Sequence, residues 1–529
     1  MRNKKIAYPA VKYFLMVLLF ITVLCPLGMV IATIRMEDIQ ELLEAGQLKT
    51  MLSHSIVVTG IATMISVLLA LLLAWCINRS RMRWKGVFSV LFTIPMLIPS
   101  ISHGMGLVLL LGDNGMLSNW FGIKIPLYGY LGMIMGSVLY SFPVAFLMLT
   151  DIFQYEDYTA YEAARVLGLS KAKQFWTITI PNIKRTLIST SFAVFTLIFT
   201  DYGVPLIIGG KIVTLPLYMY REVVGQMNIS KGAVIGMLLL LPAVVAFLLD
   251  LRQEETTNSS TITKQYVVLK NKRRDRFAYF FCIVTVLLIS LPVFAFLYLS
   301  IIKQYPIDPR LSLDHIKEAF QLGVGRYLKN SLAIALATSF IGTVTAYITA
   351  FLTARSKRNW GTQALHLISM VSLAIPGIVL GLAYVLFFRG SWIYGTLMML
   401  VLVNMVHFFA SPYLLAYNSL SKFNQNLEDV AATLGIAPWR MLKDVYLKCT
   451  QKTILEMFSY IFVNAMVTIS AVSFLADFRT MPLALLIPQF ESQSLMESTA
   501  FISIIILAVN GLMKLAVFCL KRTIPDVTK

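Results

Sequence analysis

HSIVVTGIATMISVLLALLLAWCINRS, residues His54–Ser80, and NSLAIALATSFIGTVTAYITAFLTARS, residues Asn330–Ser356, align without a gap at an offset of 276. Each is an apolar run long enough, as a helix, to cross a hydrocarbon core ~30 Å thick. Farther along, Ile98-Pro99 with Gly104 matches Ile375-Pro376 with Gly381 at an offset of 277, and Pro143 matches Pro412 at 269. So steady an offset makes the chain two copies of one unit.

Apolar stretches of similar length recur on both sides of these two. They lie near 13–34, 55–77, 87–111, 127–150, 188–208, 231–250, 278–302, 331–353, 366–388, 396–418, 453–476 and 500–520. The reading is an all-α polytopic membrane protein of about twelve transmembrane helices, six per copy. The third, fourth and ninth stretches carry Gly or Pro, which a membrane helix tolerates when neighbours satisfy its backbone. An even number of spans per copy gives two parallel repeats, related by an axis along the membrane normal, with a pathway expected between them. The division is 1–251 for the first repeat, 252–277 for a polar, Ser/Thr-rich and basic linker, and 278–529 for the second repeat. The first stretch follows Lys4, Lys5 and Lys12, has no small-x-small cleavage site, and reads as a retained helix and not a signal peptide.

Composition agrees. Of 529 residues 58% are apolar and only 13% charged, which excludes a cytosolic enzyme, a disordered chain and a secreted disulfide scaffold. Cys25, Cys76, Cys282, Cys449 and Cys519 show no CxxC pairing and read as small packing residues. The formal charge of +19 would suggest nucleic acid in a soluble protein. Here its distribution matters more. With the N-terminus inside, the inner segments hold 31 Lys and Arg and the outer ones 12, so the positive-inside rule places both termini in the cytoplasm and no nucleic-acid partner is needed.

Most inner loops are short, but those after the fourth and tenth spans, 151–187 and 419–452, exceed 30 residues at the same point of each repeat. In the first, Glu162-Ala163-Ala164-x3-Gly168-x9-Ile178-x2-Pro181 reads as helix, turn, helix. Gly168 suits a C-terminal cap and Ser170 an N-cap of the next short helix. In the second, at offset 267, Asp429-Val430-Ala431-x3-Gly435-x9-Val445 repeats the plan, with Pro438 at a first-turn position. Phe175 and Trp176 in one copy, and Trp439 and Leu442 in the other, offer apolar knobs to a partner.

These loops resemble the EAA loops of permease subunits of ABC importers with the type I (MetI-like) fold, here as a fused two-copy chain. The second loop departs from the family pattern, with Asp for Glu, Val for the first Ala and Lys448 in place of the terminal Pro. The resemblance implies that each loop contains a coupling helix docking into an ATPase subunit, two copies of which bind and use ATP and Mg. It further implies that an extracytoplasmic binding protein delivers substrate, and that this chain, set in the lipid bilayer of a bacterial plasma membrane, binds no cofactor and catalyses nothing. FTLIFTDYGVPLIIGG, from Phe195, and AMVTISAVSFLADF, following Asn464, look most like the ferric iron and 2-aminoethylphosphonate branch, with thiamine and polyamine permeases as alternatives.

Asp201-Tyr202 and Asp477-Phe478 recur at offset 276 near the outer ends of the fifth and eleventh spans. Carboxylates close to a membrane interior are candidate gate or pathway residues; shared descent of two copies explains the recurrence as well. The five histidines are scattered without ligand spacing, and His103 and His407 read as hydrogen-bonded helix residues. Gly209-Gly210-Lys211 lacks the rest of a phosphate loop. A secondary transporter with 6+6 spans is the rival class, but it predicts charge within the spans and no long loops after the fourth and tenth. A membrane enzyme would need a cluster of His, Asp or Glu at one membrane face, which the sequence does not provide.

Overall fold

The computed structural model describes residues 7–525 apart from 45, 123, 155, 255–265, 357–358 and 425. Much of the expected linker, and Lys4 and Lys5, therefore lie outside the described residues. Among those described, the chain is almost wholly helical, with one short antiparallel hairpin pairing Ile302–Gln304 with Asp308–Leu311. Six helices are long and apolar enough to cross a membrane unbroken: Pro9–Thr33, Gln47–Arg79, Tyr130–Phe153, Lys272–Leu299, Val324–Ala354 and Met496–Thr523. Three bent pairs raise the number to nine: Lys85–Leu97 with Ser100–Phe121, Trp360–Ala374 with Gly377–Phe388, and Leu397–His407 with Ala410–Ser421. The remaining three expected spans fall on helices Ile180–Phe199, Ile229–Glu254 and Gln451–Val467.

The third and ninth expected spans are not continuous helices. They turn by 98° and 111° at Ile98-Pro99 and Ile375-Pro376, the dipeptides that mark the repeat. A proline forces its predecessor out of the helical region. Ile98 (φ −119°, ψ 153°) and Ile375 (φ −105°, ψ 111°) are accordingly extended, and each proline is the N-cap of the helix beyond it. By contrast Tyr130–Gln154 runs through Pro143 without a break.

Contacts divide the chain into two compact units that cut across the repeats. One comprises Met1–Gln40, Met219–Leu240 and Ile316–Lys529; the other comprises Glu41–Tyr218 and Leu241–His315. In each unit, then, the core of one repeat is joined by the first span of the other.

In the unit built on the first repeat, Gln47–Arg79 packs along Tyr130–Gln154 and Ile180–Phe199. Ala62, Ala70, Ala74 and Cys76 are fully buried on it, and Ser66 and Ser141 share a hydrogen bond of 2.8 Å across the helix pair. Small side chains let membrane helices approach closely, with hydroxyls bridging them. Lys272–Leu299, the first span of the second repeat, joins this core, with Cys282 buried in the same apolar cluster as Cys76. Its Pro292 lies so close to Gly106 that a Cβ there would stand 2.6 Å from the proline ring.

In the unit built on the second repeat, Val324–Ala354 packs on Gln451–Val467 and Ala410–Ser421. The first span of the chain joins this core. Within it, Pro26 has no N–H to give the carbonyl four residues earlier, that of Thr22, and the local winding widens to a π-turn over Phe20–Leu24. The Tyr384 hydroxyl donates to that carbonyl at 2.8 Å. In both units, large apolar residues on one side of these helices, such as Phe14, Leu68, Phe280 and Phe340, are more than half exposed, as a lipid-facing side would be.

Candidate functional site

The two long loops share one geometry. Helix Thr159–Val166 ends at Gly168, whose φ of +70° a side chain would oppose. The amide of Gly168 donates to Arg165 O and that of Leu169 to Ala164 O, both at 3.0 Å. This is a Schellman ending, in which two orphan carbonyls of the last turn find donors. Helix Asn426–Thr433 ends in the same way, with Gly435 at φ +66°, its amide on Ala432 O at 3.1 Å and that of Ile436 on Ala431 O at 2.8 Å. No atom lies within 4 Å of a Cβ built on either glycine, so backbone conformation alone selects glycine. Ser170 caps the next short helix, Lys171–Gln174, by accepting from the Lys173 amide at 3.3 Å. Pro438 opens its counterpart Pro438–Met441.

Both short helices then pass through a π-turn, Phe175–Thr179 and Leu442–Tyr446, at equivalent places in the repeats. In the first loop the chain continues directly into Ile180–Phe199, with Pro181 in its first turn. Glu162 is half-buried, Ala163 exposed and Ala164 buried; in the second loop Asp429 is exposed and Ala431 buried. Val166, Leu167 and Trp176 expose their side chains in one loop and Val430, Leu434 and Trp439 in the other, while Phe175 is half-buried against Trp176. Leu442 differs from the sequence reading: it turns inward and is 7% exposed, leaving no knob for a partner.

Sequence reading missed the groups that fasten each loop. Arg355, one residue beyond Val324–Ala354, binds Glu428 through Nε at 2.6 Å and Nη2 at 2.5 Å. It also donates to the carbonyls of Phe423 and Asn424, both at 2.9 Å, at the end of helix Ala410–Ser421. The Tyr446 hydroxyl donates to the same carboxylate. Burial disfavours charge on Glu428, but the hydrogen bonds from Arg355 and Tyr446 outweigh it and hold the carboxyl below its ordinary range. Burial, reinforced by the bond to Glu428, pushes Tyr446 up to about 12.

In the first repeat the corresponding arginine, Arg79, ends helix Gln47–Arg79 and pairs with Glu156, both almost fully buried. Tyr161 donates to Glu156 and meets Thr179 Oγ1 at 2.6 Å. The ring of Tyr266 covers the Arg79 guanidinium at 3.3 Å and packs edge-on against Tyr158 and Tyr161. One signal was available in the sequence. Arg79 and Arg355 occupy the same column of the gapless alignment, each just before a serine.

The recurring aspartates sit in different settings. Asp201 accepts from Ser100 Oγ at 2.6 Å and from the Val204 amide at 3.0 Å, fixing the start of the short helix Gly203–Ile208, while Tyr202 is buried. Asp477 accepts from the amides of Arg479 and Thr480, both at 2.8 Å, and Phe478 is 70% exposed beside Tyr327 and Arg326. His103 is buried with Nδ1 3.2 Å from Pro99 O. Among the described residues, no three His, Cys, Asp or Glu side chains converge as a metal site would require.

The family model described as binding-protein-dependent transport system inner membrane component matches residues 66–255 and 342–524, one block in each repeat. The chain belongs to this family. The permease is 22% identical over 466 residues to a putative ferric transport system permease protein of Haemophilus influenzae, covering 83% of this chain and 72% of that one. It is 23% identical over 462 residues to a ferric transport system permease protein of Actinobacillus pleuropneumoniae, covering 83% and 66%. A thiamine transport system permease protein of Escherichia coli is 22% identical over 439 residues, 80% of each chain. Membership makes the permease a multi-pass transport component of the inner membrane with the MetI-like fold in two copies, and decides against the secondary-transporter alternative.

Proposed function

We propose that the permease forms the translocation pathway of an ATP-driven importer of ferric iron and couples to separate ATPase subunits through its two long loops. The observation that carries this reading is the pairing of the loops. At the same point of each repeat an exposed helix, a left-handed glycine and a second short helix lead through a π-turn toward a span. A rigid helix on each loop, with apolar and basic side chains turned outward, can be gripped by a soluble subunit, and its displacement is passed along the next helix.

The excess of Lys and Arg on these loops and the linker supports a cytoplasmic placement of both loops and both termini. Coupling requires the ATPase pair to hold one arrangement of the loops more tightly than the other, because a ligand shifts an equilibrium only by its differential affinity. A binding protein would deliver cargo at the opposite face. The names of the two ferric permeases support iron as cargo.

Purification of the tagged permease from its native membrane tests the partner assignment. An ATPase subunit is expected to accompany it, and to be lost from the variant Gly168→Pro with Gly435→Pro; purification without any ATPase refutes the coupling assignment. Uptake of radiolabelled ferric iron, thiamine and 2-aminoethylphosphonate by cells lacking the permease decides the cargo. Loss confined to iron is expected, and unchanged iron uptake refutes the assignment.

A further inference from the structure

The two arginine clusters are built on one plan with two residues exchanged. The offset of 267 that aligns the loops places Glu156 opposite Phe423, and Tyr161 opposite Glu428. The first repeat thus carries acid then aromatic where the second carries aromatic then acid, five residues apart in both. The arginine is unchanged, at the end of the long helix in each repeat. The carboxylate has moved by more than a helical turn of sequence, yet it meets the guanidinium in both copies. The displaced aromatic stays within the cluster: Tyr161 donates to Glu156, and Phe423 packs edge-on against Tyr446. The last residue of each π-turn, Thr179 or Tyr446, completes it. A mere space-filling contact would not need the acid to reappear when its original site became aromatic; an arginine that must be neutralised where it joins loop to span would.

We propose that Arg79 and Arg355 are positioning residues for energy coupling, each locking its loop to the end of a long span through one carboxylate that either loop position can supply. The proposal rests on the coupling reading above. The arginine reaches three elements at once in the second repeat: the end of its own helix, the last turn of Ala410–Ser421 through Leu420 O at 3.5 Å with the carbonyls of Phe423 and Asn424 just after it, and the loop helix through Glu428. Carbonyl ends of helices favour cations, and a bidentate guanidinium–carboxylate pair fixes orientation as well as distance. A loop held in this way moves with the span. Without the lock, motion at the π-turn would absorb the displacement of the docking helix.

The test uses the full transporter, permease with ATPase subunits and binding protein, in proteoliposomes holding ATP inside, with ferric iron and the binding protein supplied outside as the probe. Three readouts are compared: ATPase retained by the permease, iron taken up per ATP hydrolysed, and mobility of a spin label at Leu434→Cys with the five native cysteines replaced. Glu428→Tyr strands Arg355 and is expected to lower uptake per ATP by roughly two- to thirtyfold and to loosen the label. Adding Phe423→Glu, which copies the first repeat's arrangement, is expected to restore both. A Glu428→Tyr variant that retains ATPase and keeps wild-type uptake per ATP overturns the proposal. So does a double variant that regains yield and ATPase but not coupling, which would leave the pair a merely structural role. A wild-type permease that retains no ATPase overturns the coupling reading itself, and this proposal with it.

Discussion

Gly106→Ala should destabilise the permease although alanine is the better helix former. The added Cβ would stand 2.6 Å from Pro292 Cβ, 3.4 Å from Pro292 Cα and 3.3 Å from Phe296 Cζ. Carbon atoms rest ~3.5–4.0 Å apart, so Lys272–Leu299 would have to retreat by about 1 Å. The blocking atoms are a proline ring and its backbone, which have no rotamer to yield. Overpacking of this kind costs about 1–3 kcal/mol. Gly60→Ala is the matched control: it lies inside Gln47–Arg79 with no atom within 4 Å of the new Cβ. That change should be neutral or stabilise by up to about 1 kcal/mol. Thermal unfolding in detergent, followed by loss of monodisperse protein, should therefore rank Gly60→Ala at or above wild type and Gly106→Ala clearly below. Combining Gly106→Ala with Pro292→Gly, which removes the opposing Cβ, should cost less than the two single changes summed. Equal midpoints for the two alanine variants, or strict additivity in the double variant, would refute the close packing of this span on the first repeat's core.

The loops supply three other expected outcomes. Gly168→Ala and Gly435→Ala place a side chain at positive φ with no steric clash, a strain of about 1–2 kcal/mol, and should loosen the loop helices in hydrogen exchange while leaving span protection unchanged. Glu428 has a folded-state pKa below its ordinary value of 4.5, so its contribution is complete above that value and is lost as pH falls through the folded value. The stability gap between wild type and Glu428→Gln should accordingly stay flat from neutral to mildly acidic pH and close only on further acidification; closure near neutrality would contradict the pairing. Tyr266→Ala uncovers Arg79 and removes a cation–π contact of ~0.5–2 kcal/mol. Faster trypsin cleavage at the first loop, with cleavage at the second unchanged, is the expected result.

The repeat, the helical membrane character and the turn chemistry of the loops were legible because each depends on local rules. Period and length mark a span, and a glycine six residues after the acid of a short amphipathic run, as Gly168 follows Glu162 and Gly435 follows Asp429, marks a left-handed cap. The sharp bends were half legible: Ile98-Pro99 and Ile375-Pro376 stood out as repeat markers, but tolerance of proline inside Tyr130–Gln154 shows that proline alone does not decide between bend and straight helix. The path of the chain beyond each bend depends on contacts from distant neighbours, such as those a Cβ at Gly104 would make with Ile207 and Ile208, or one at Gly381 with Ala471. The arginine clusters escaped because each arginine and its carboxylate lie more than 70 residues apart in sequence and the carboxylates do not align between copies. Leu442 was misread because the burial of an apolar residue on so short a helix is decided by what the rest of the chain packs against it, which the local pattern does not show.

The hydrogen bond from Tyr384 to Thr22 joins residues 362 apart in sequence. At ~5–20 residues per second, ribosomal synthesis needs roughly 20–70 s to traverse that distance. Throughout that interval the first span is already in the bilayer while the helix that will cover it is still unmade. It waits with the Thr22 carbonyl lacking the donor that Pro26 cannot supply. Biogenesis of the permease therefore includes a long-lived, half-assembled stage in which an orphan helix must be shielded by lipid, or by the insertion machinery, until the second repeat arrives.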